Sequence, residues 1–247
     1  MSGVRRSGVR VNWYPDEPGI LRGAVARFRV NDVPFRFFVE DDLDAIQAHH
    51  RSGRIYEPEE LAIIGRAYRG GTFVDVGGNV GNHAIYAAKI LKAPRVIVFE
   101  PEPLAADICE INAAVNGCEA QIELHRSGLS DVAGRAHPAY VEHNLGGTSL
   151  KPAEDGSIEL NRGDDVLHDE QIGFIKIDTE GFELKALAGL VKTIARCRPL
   201  LFVEVENGNV PAFLAFCETH GYGIVEEYRR YEVCTNYLAV SRKPFGK

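Results

Sequence analysis

A glycine-rich turn is the stretch of the sequence whose residue types best suit the binding of a ligand. Residues 73–82 read FVDVGGNVGN, with Asp75 inside the apolar run and three glycines after it. Small residues let the backbone approach a ligand closely. The spacing matches neither the G-x-G-x-x-G fingerprint of dinucleotide sites nor the G-K-S/T of a P-loop. The turn therefore predicts a nucleoside site without a diphosphate.

A second acidic residue, Glu100, closes the next apolar run, about 20 residues after Gly77, where a ribose-binding acid is expected. Its carboxylate can accept hydrogen bonds from both ribose hydroxyls. Together the turn and Glu100 predict a site for S-adenosylmethionine, whose ammonium group Asp75 could receive. The alternative is a tight strand–helix turn followed by an ordinary acid at the end of a strand.

Acidic residues at the ends of two later apolar runs could supply the chemistry. Asp178 ends one run, and Glu204 and Glu206 share one face of the next because strand side chains alternate. Methyl transfer to a hydroxyl requires a base or a metal ion to help remove the proton. With Asn207, these oxygens form a candidate Mg²⁺ ligand set. A metal-free carboxylate or histidine base, or a structural role, are the alternatives.

His143, Lys176 and Glu180 are further candidate catalytic residues. His143 lies in the glycine-containing stretch VEHNLGGTS, and the ordinary pKa of histidine suits proton removal. Lys176 would orient an acid, or act as the base if burial lowers its pKa. Glu180 precedes Gly181 and would either take part in catalysis or cap the next helix.

Alternating strand and helix patterns from Thr72 onward must position these residues. Strand runs that are apolar on both faces predict an α/β fold with a mostly parallel sheet covered on two sides and an antiparallel hairpin at its edge. Before them, a hairpin is predicted around Asn31–Asp32. We interpret residues 1–70 as an arm and cap over the substrate and residues 71–247 as the S-adenosylmethionine-binding domain. Residues 1 to about 20 and about 127–163 are predicted to be irregular.

The composition limits the class of protein. The chain has 247 residues, with 28 basic and 35 acidic side chains and a net charge of -7, which argues against a nucleic-acid binder. Its five cysteines form no C-x-x-C pair, which favours reduced thiols in a cytoplasm over zinc or disulfides. No segment predicts a signal peptide or a membrane span, and a homo-oligomer is left open.

Several stretches resemble the FkbM family of S-adenosylmethionine-dependent methyltransferases, from about residue 55 to residue 225. The matching stretches are YEPEE, FVDVGGNVGNHAIYAA, VIVFEPEP, NAAVNG, SGLSDVAG, NLGGTSL, IKIDTEGFELKALAG and PLLFVEVEN. The most specific of them is KIDTEG at 176–181. The resemblance implies a Rossmann-like seven-stranded sheet of order 3-2-1-4-5-7-6 with helices on both faces. It also implies methyl transfer, usually to an oxygen of a sugar or natural product.

The resemblance also implies roles for individual residues. The methionine and ribose end of the cofactor would be lined by Asp75, Gly77, Asn79, Gly81 and Asn82. Glu100 and Pro101 would hold the ribose, and Ser127 and Ser130 would lie beside the adenine. Independently of the resemblance, His83 directly follows the glycine turn and is expected to touch the cofactor. Tyr56 and Glu57 would close over the site from the cap. The acids after the fourth and fifth strands also resemble the magnesium ligands of catechol O-methyltransferase, with glutamate in place of one aspartate.

The function predicted from the sequence is an O-methyltransferase acting on a hydroxyl of a saccharide or secondary metabolite. It would use S-adenosylmethionine, with Mg²⁺ as an optional second cofactor, and a small-molecule acceptor. Methylation of an amine or a carboxylate, on a small molecule or a peptide, is the first alternative. A non-catalytic nucleoside-binding module is the second. The glycine spacing disfavours a nicotinamide oxidoreductase.

Overall fold

The computed structural model describes residues 10–11 and 21–242. The strands are β1 (Arg10–Val11), β2 (Gly23–Val30), β3 (Val33–Val39), β4 (Thr72–Val76), β5 (Val96–Phe99), β6 (Ile122–His125), β7 (Gly128–Leu129), β8 (Gly134–Val141), β9 (Asn144–Pro152), β10 (Ile158–Asn161), β11 (Ile172–Ile177), β12 (Leu200–Glu206), β13 (Tyr222–Tyr228) and β14 (Cys234–Ser241). The helices are α1 (Gln47–Arg51), α2 (Pro58–Ala67), α3 (Asn82–Lys89), α4 (Pro103–Asn116), α5 (Gly163–Val166), α6 (Glu183–Gly189), α7 (Val191–Cys197) and α8 (Val210–His220).

The main sheet has seven strands in the order β6-β5-β4-β11-β12-β14-β13. The first five run parallel, while β14 is antiparallel to both β12 and β13. Numbered by their order in this sheet, the strands read 3-2-1-4-5-7-6, so the predicted topology is confirmed. The direction of winding reverses between β4 and β11, and ligands bind outside the carboxyl ends of the strands at such a point.

The strands at the centre of this sheet are apolar on both faces because helices cover both. Every residue of β4 and β5 is buried. The rings of Phe73 and Phe174, on neighbouring strands, stack with centroids 5.0 Å apart on one face. Val74 and Ile175 belong to a separate apolar cluster on the other face. Burial of both faces fixes the strand register, and with it the position of the polar residues that follow each strand.

The N-terminal hairpin packs on the outside of α4. Its turn residues Asn31 and Asp32 both have positive φ angles, 47° and 63°, as a tight two-residue hairpin turn requires. Asn112 accepts a hydrogen bond from the backbone of Phe38 at 2.7 Å, which ties β3 to α4. The predicted hairpin is confirmed. Most of the predicted irregular arm, residues 1 to about 20, lies outside the described residues.

A second sheet, of order β7-β10-β8-β9, occupies the stretch that was predicted to be irregular. That prediction was wrong. The side chains of β9 are half-buried or exposed, so the stretch lacks the apolar alternation from which a strand is recognised. Its small core of Ala136, Ile158, Leu160 and Phe182 forms only when the strands pair. Within the described part of the chain, no helix has the length and apolar character needed to cross a membrane.

Candidate functional site

A cavity of about 790 Å³ lies at the carboxyl ends of β4, β5, β11 and β12. This volume lies within the roughly 300–1,000 Å³ typical of small-molecule sites. The cavity is closed by the cap loop (residues 54–57), by β9 and by the connection between β13 and β14. It is therefore enclosed by segments from the whole length of the described chain.

The glycine turn forms the floor of this cavity and packs directly on the end of β11. Gly77 has a φ of 77°, and a Cβ atom there would lie 1.8 Å from the carbonyl oxygen of Asp178. At Gly78 a Cβ would lie 2.2 Å from Cγ1 of Val98. Both glycine amides donate to the carbonyl of Phe99. Glycine is therefore required for the close packing of two strand ends, and the turn faces the cavity as predicted.

Gly81 has a different role from the predicted contact with the cofactor. It does not belong to the residues that line the cavity. It precedes α3 with a φ of 84°, and a Cβ there would lie 2.9 Å from Sγ of Cys109. The absence of a side chain therefore allows α3 to approach α4.

Glu100 and Asn79 are joined across the cavity wall. The amide of Asn79 donates to Glu100 Oε2 at 2.7 Å, and the amide of Glu102 donates to Oε1 at 2.8 Å. Burial raises the pKa of Glu100 to about 7, and the two amide bonds oppose that rise. Each carboxylate oxygen retains a lone pair for a ligand. Pro101 lines the cavity next to Glu100, so Asn79, Glu100 and Pro101 lie together at one part of its wall.

Ser127 and Ser130 do not line the cavity, which corrects their predicted position beside the adenine. Both are buried, and Ser130 Oγ donates to Asp131 at 3.0 Å. The intervening residues Gly128 and Leu129 line the cavity instead. They form β7, whose pairing with β10 sets which side chains face inward.

Lys176 pairs with two aspartates, of which Asp178 lines the cavity and Asp75 lies behind it. Its Nζ lies 3.2 Å from Asp75 Oδ1 and 3.3 Å from Asp178 Oδ2, and it donates to the carbonyl of Gly77 at 2.9 Å. Burial acts to lower the pKa of Lys176, but the two carboxylates outweigh it and raise the pKa above the ordinary value. Lys176 is therefore a charged anchor, and the predicted role as a base is wrong.

Asp75 is fully buried and lies behind Lys176, outside the cavity lining. The sequence predicted that Asp75 could receive the ammonium group of the ligand, but from this position it does not reach the ligand. Asp75 and Lys176 are paired in register across β4 and β11, so the ion pair follows directly from sheet formation. Asp178 follows β11 by one residue and does line the cavity.

Asn82 fixes the cap loop to the glycine turn. Its Oδ1 accepts from the backbone amide of Tyr56 at 3.2 Å, and its Nδ2 donates to the carbonyl of Tyr56 at 3.0 Å. The buried ring of His50 lies 3.0 Å from the same Oδ1. The amide of Asn82 is thus engaged within the protein, although the residue borders the cavity. Its first role is to position Tyr56 and Glu57, which both line the cavity.

Three carboxyl groups in the cavity have raised pKa values. Burial, followed by repulsion from Asp178, raises the pKa of Glu204 to about 8 and that of Glu180 to about 7. The same two causes raise the pKa of Glu57 well above its ordinary value. Glu180 does not cap α6, whose N-terminus has no side-chain cap, and faces the cavity instead. The cavity therefore concentrates carboxyl groups that hold protons near neutral pH.

These raised pKa values predict that the ligand-free protein loses stability as the pH rises. Between pH 4.5, the ordinary pKa, and the folded values of about 7 to 8, the native state binds more protons than the unfolded state. The free energy of unfolding must then fall with pH in this window and level off above it. Thermal melts from pH 5 to 9 measure this. Glu204→Gln should reduce the dependence of the melting temperature on pH, whereas Glu218→Gln, on the exposed face of α8, should leave it unchanged. A melting temperature that rises between pH 5 and 8 would contradict the raised pKa values.

His143 lies outside the cavity lining, so its predicted role as the base is not supported by its position. It forms the turn between β8 and β9, with Nδ1 2.6 Å from Asp41 Oδ2. Hydrogen bonding to Asp41 raises the pKa of His143 and lowers that of Asp41. The carbonyl of His143 also accepts from Ala45, so the turn fastens the second sheet to the cap.

The predicted magnesium ligands do not form a metal centre. In the described part of the chain, no group of three His, Cys, Asp or Glu side chains is arranged to hold a metal ion. The ammonium of Lys176 lies beside Asp178, where a cation would have to sit. The side-chain amide of Asn207 donates a hydrogen bond to the carbonyl of Glu232. Glu204 Oε2 accepts a hydrogen bond from the side-chain amide of Asn236 at 3.2 Å. These contacts do not fit a metal ion on Asp178, Glu204, Glu206 and Asn207.

Some lining residues were not predicted as site residues. Asn144, Leu145, Gly146, Thr148 and Leu150 of β9 roof the cavity. The motif NLGGTSL gave a signal for them, since it matched the family although no role was assigned. For Tyr231 the sequence gave no signal, because its partner is distant in the chain. The hydroxyl of Tyr231 lies 2.7 Å from the hydroxyl of Tyr56 in the cap loop, and the two side chains together close one side of the cavity.

Comparisons with known proteins agree with this architecture. Residues 75–224, more than half of the chain, match the methyltransferase FkbM domain. Methyltransferase sdnD of Sordaria araneosa is 25% identical over 192 residues, covering 62% of this chain and 74% of that protein. Two solved structures share the fold. Precorrin-6y C5,15-methyltransferase of Geobacter metallireducens GS-15 has a TM-score of 0.50 and 14% identity, covering 76% of this chain and 90% of its own.

The second solved structure is M. capricolum TrmK, determined with S-adenosyl-homocysteine. It has a TM-score of 0.50 and 10% identity, covering 78% of this chain and 72% of its own. At these identities the structures show the common fold alone. The domain match covers the glycine turn, Glu100 and the acids after β11 and β12. The chain belongs to the FkbM family of methyltransferases.

Proposed function

We propose that the protein is an S-adenosylmethionine-dependent O-methyltransferase that acts on a hydroxyl of a small saccharide or secondary-metabolite scaffold. The observation that carries this proposal is the continuity of one cavity. The same space reaches from the nucleoside-binding residues Asn79 and Glu100 to the carboxyl groups of Asp178, Glu180 and Glu204. Donor and acceptor can therefore meet inside it without leaving the protein.

The cofactor would lie over the ends of β4 and β5. Glu100 would accept hydrogen bonds from the ribose hydroxyls, and Gly128 and Leu129 would border the adenine. The sulfonium carries a positive charge, and a cavity lined with carboxyl groups favours a cation. This electrostatic match supports a sulfonium donor over a diphosphate-bearing nucleotide, which the same acids would repel.

Catalysis requires alignment of the acceptor oxygen with the methyl group and removal of its proton. Asp178 is the best-placed proton acceptor, because Lys176 fixes its carboxylate at the cavity wall. Glu180 and Glu204 lie nearby with pKa values that suit proton exchange at neutral pH. A lone pair of the acceptor oxygen forms the new C–O bond as the C–S bond breaks with its electron pair staying on sulfur, and the proton of the hydroxyl passes to a carboxylate. No step is assigned to a metal ion.

A small, uncharged or cationic acceptor suits this cavity better than a nucleic acid. Eight acidic residues line it, and Lys176 is the only Lys or Arg among the described lining residues. A phosphate backbone would be repelled at such a surface. All five cysteines are buried free thiols, which supports a reducing, cytoplasmic location.

Glu100→Ala tests the cofactor assignment. Loss of hydrogen bonds from the ribose hydroxyls should weaken S-adenosylhomocysteine binding by about 1–3 kcal/mol, measured by isothermal titration calorimetry. Glu218→Ala, the matched change on α8, should leave the affinity unchanged. An equal dissociation constant for wild type and Glu100→Ala would refute the assignment. Transfer of labelled methyl groups to a panel of hydroxylated acceptors tests the reaction itself.

A further inference from the structure

The part of the cavity beyond the cofactor is lined by acidic side chains from three segments of the chain. Glu57 comes from the cap loop, Asp178 and Glu180 follow β11, and Glu204 and Glu206 end β12. We call these five residues the acceptor half, because the proposed function places the donor over β4 and β5, and their assignment to an acceptor rests on that function. Glu57 is buried, Asp178 and Glu204 are half-buried, and Glu206 is exposed at the mouth. Glu180 is also exposed as a whole residue, but its carboxyl group is partly desolvated by the cavity.

The protein supplies little positive charge to balance these groups. Lys176 is already engaged by Asp75, Asp178 and the carbonyl of Gly77. Within the described residues, Glu180, Glu204 and Glu206 form no ion pair with a Lys or Arg side chain. S-adenosylmethionine has one net positive charge, which disappears when the methyl group leaves. A cation in the acceptor would lower the raised pKa values of Glu57, Glu180 and Glu204 and would bind these groups in their charged form.

A buried histidine gives a second, independent indication of a ligand. His83 is 5% exposed and lines the cavity, and its Nε2 has no hydrogen-bond partner among the described residues. The nearest acid is Glu57, whose Oε2 lies 3.6 Å away. A buried polar atom without a partner costs free energy unless a bound molecule satisfies it. This nitrogen has less than 1 Å² of accessible surface, so a polar ligand beside Glu57 would satisfy it once a small shift of the ring exposed it.

An ammonium group suits the acceptor half better than the alternatives. An anion would be repelled, and a neutral polyol could donate hydrogen bonds but would not favour the charged form of these carboxyl groups. A primary ammonium balances charge and donates three hydrogen bonds to carboxylates. Tyr56 and Tyr231 also line the cavity, and aromatic rings are favourable neighbours for a cation.

We propose that the acceptor is a hydroxylated amine whose ammonium group is bound by Glu180 and Glu206 while its hydroxyl faces Asp178. The two glutamates are neighbours: Glu206 Oε1 lies 3.1 Å from the position that a Cβ on Gly181 would occupy, and repulsion from Glu206 helps to raise the pKa of Glu180. Both are at the mouth, so an ammonium there keeps part of its hydration. Its nitrogen has no lone pair and cannot attack the methyl group. The new bond therefore forms at oxygen, and the hydroxyl proton goes to a carboxylate.

The test titrates the full protein, saturated with S-adenosylhomocysteine, with two matched sets of compounds. In the first set, glucamine, sorbitol and gluconate share a six-carbon polyol chain and differ in charge. In the second, 2-deoxystreptamine is compared with myo-inositol. Each amine should bind about tenfold more tightly than its neutral counterpart, as expected for one charge-assisted hydrogen bond, and gluconate should bind most weakly. About 0.5 M NaCl should reduce the preference through screening.

Two single variants test whether Glu180 and Glu206 bind the ammonium group. Glu180→Gln and Glu206→Gln should each remove most of the preference for the amines while leaving the affinity for S-adenosylhomocysteine unchanged. Glu218→Gln, with the same loss of charge on α8, should behave as wild type. Equal binding of amines and neutral polyols, or binding of S-adenosylhomocysteine without binding of either amine, would overturn this inference and leave the proposed function standing. Failure to bind S-adenosylhomocysteine would instead overturn the proposed function, and this inference with it.

Discussion

Lys176→Met is expected to lower the free energy of unfolding by about 3–5 kcal/mol, the cost typical of removing one partner from a buried ion pair. The ammonium lies 3.2 Å from Asp75, which is fully buried, and its side chain is 5% exposed. Without it, Asp75 must stay charged in an apolar interior or take up a proton. Gly77 also loses the donor to its carbonyl, so the glycine turn should loosen. Urea denaturation followed by circular dichroism measures the change.

Two further variants separate this effect from a general loss of a lysine. Lys192→Met removes an exposed lysine from α7 and should change stability by less than about 0.5 kcal/mol. The double variant Lys176→Met/Asp75→Asn should recover part of the loss, since it removes the unpaired charge as well. A loss below about 1 kcal/mol in Lys176→Met, within the range of surface ion pairs, would contradict the anchor role.

Asp178→Asn is expected to lower turnover by about 10²–10⁴-fold, the usual contribution of a general acid–base group. The amide keeps the shape of the side chain but cannot accept the hydroxyl proton. It also leaves the ribose contacts at Glu100 untouched, so affinity for S-adenosylhomocysteine should change little. Single-turnover kinetics with an acceptor from the labelled-methyl panel, together with calorimetry, separate the two quantities.

The matched control is Asp169→Asn, an exposed aspartate beside His168. It should keep full turnover and full cofactor affinity. Equal losses of turnover and of cofactor affinity in Asp178→Asn would mean that Asp178 serves the nucleoside or the fold. Unchanged turnover in Asp178→Asn would mean that Asp178 is not the base and that Glu180 or Glu204 accepts the proton instead.

The fold followed from the sequence because its signals are local. Runs such as residues 72–76 and 96–99 are apolar on both faces, which indicates a covered parallel sheet wherever it occurs. In such a sheet the ligand lies at the carboxyl ends of the strands, so the glycine turn, Glu100 and Asp178 could be assigned to one site. The turn at Asn31–Asp32 was predictable for a similar reason, because those two residue types tolerate positive φ.

The second sheet gave no comparable signal. Its strands pair around a few apolar side chains, and the glycines and polar residues of β9 are typical of loops. The position of His143 depends on this sheet, because it lies at the β8–β9 turn and is drawn to Asp41. A histidine in a glycine-containing stretch therefore suggested a base, although the folded chain uses it to fasten two surface segments.

The sequence by itself determined the family, the order of the strands and the edge of the sheet where the site lies, since these depend on short-range periodicity and motifs. Only the tertiary structure decided which polar side chains reach the ligand. Asp75 turned inward to Lys176, Ser127 and Ser130 faced away, and Tyr231 met Tyr56 across the cavity. Ion pairing, burial and pKa values depend on neighbours brought together by folding, and these neighbours are distant in the chain.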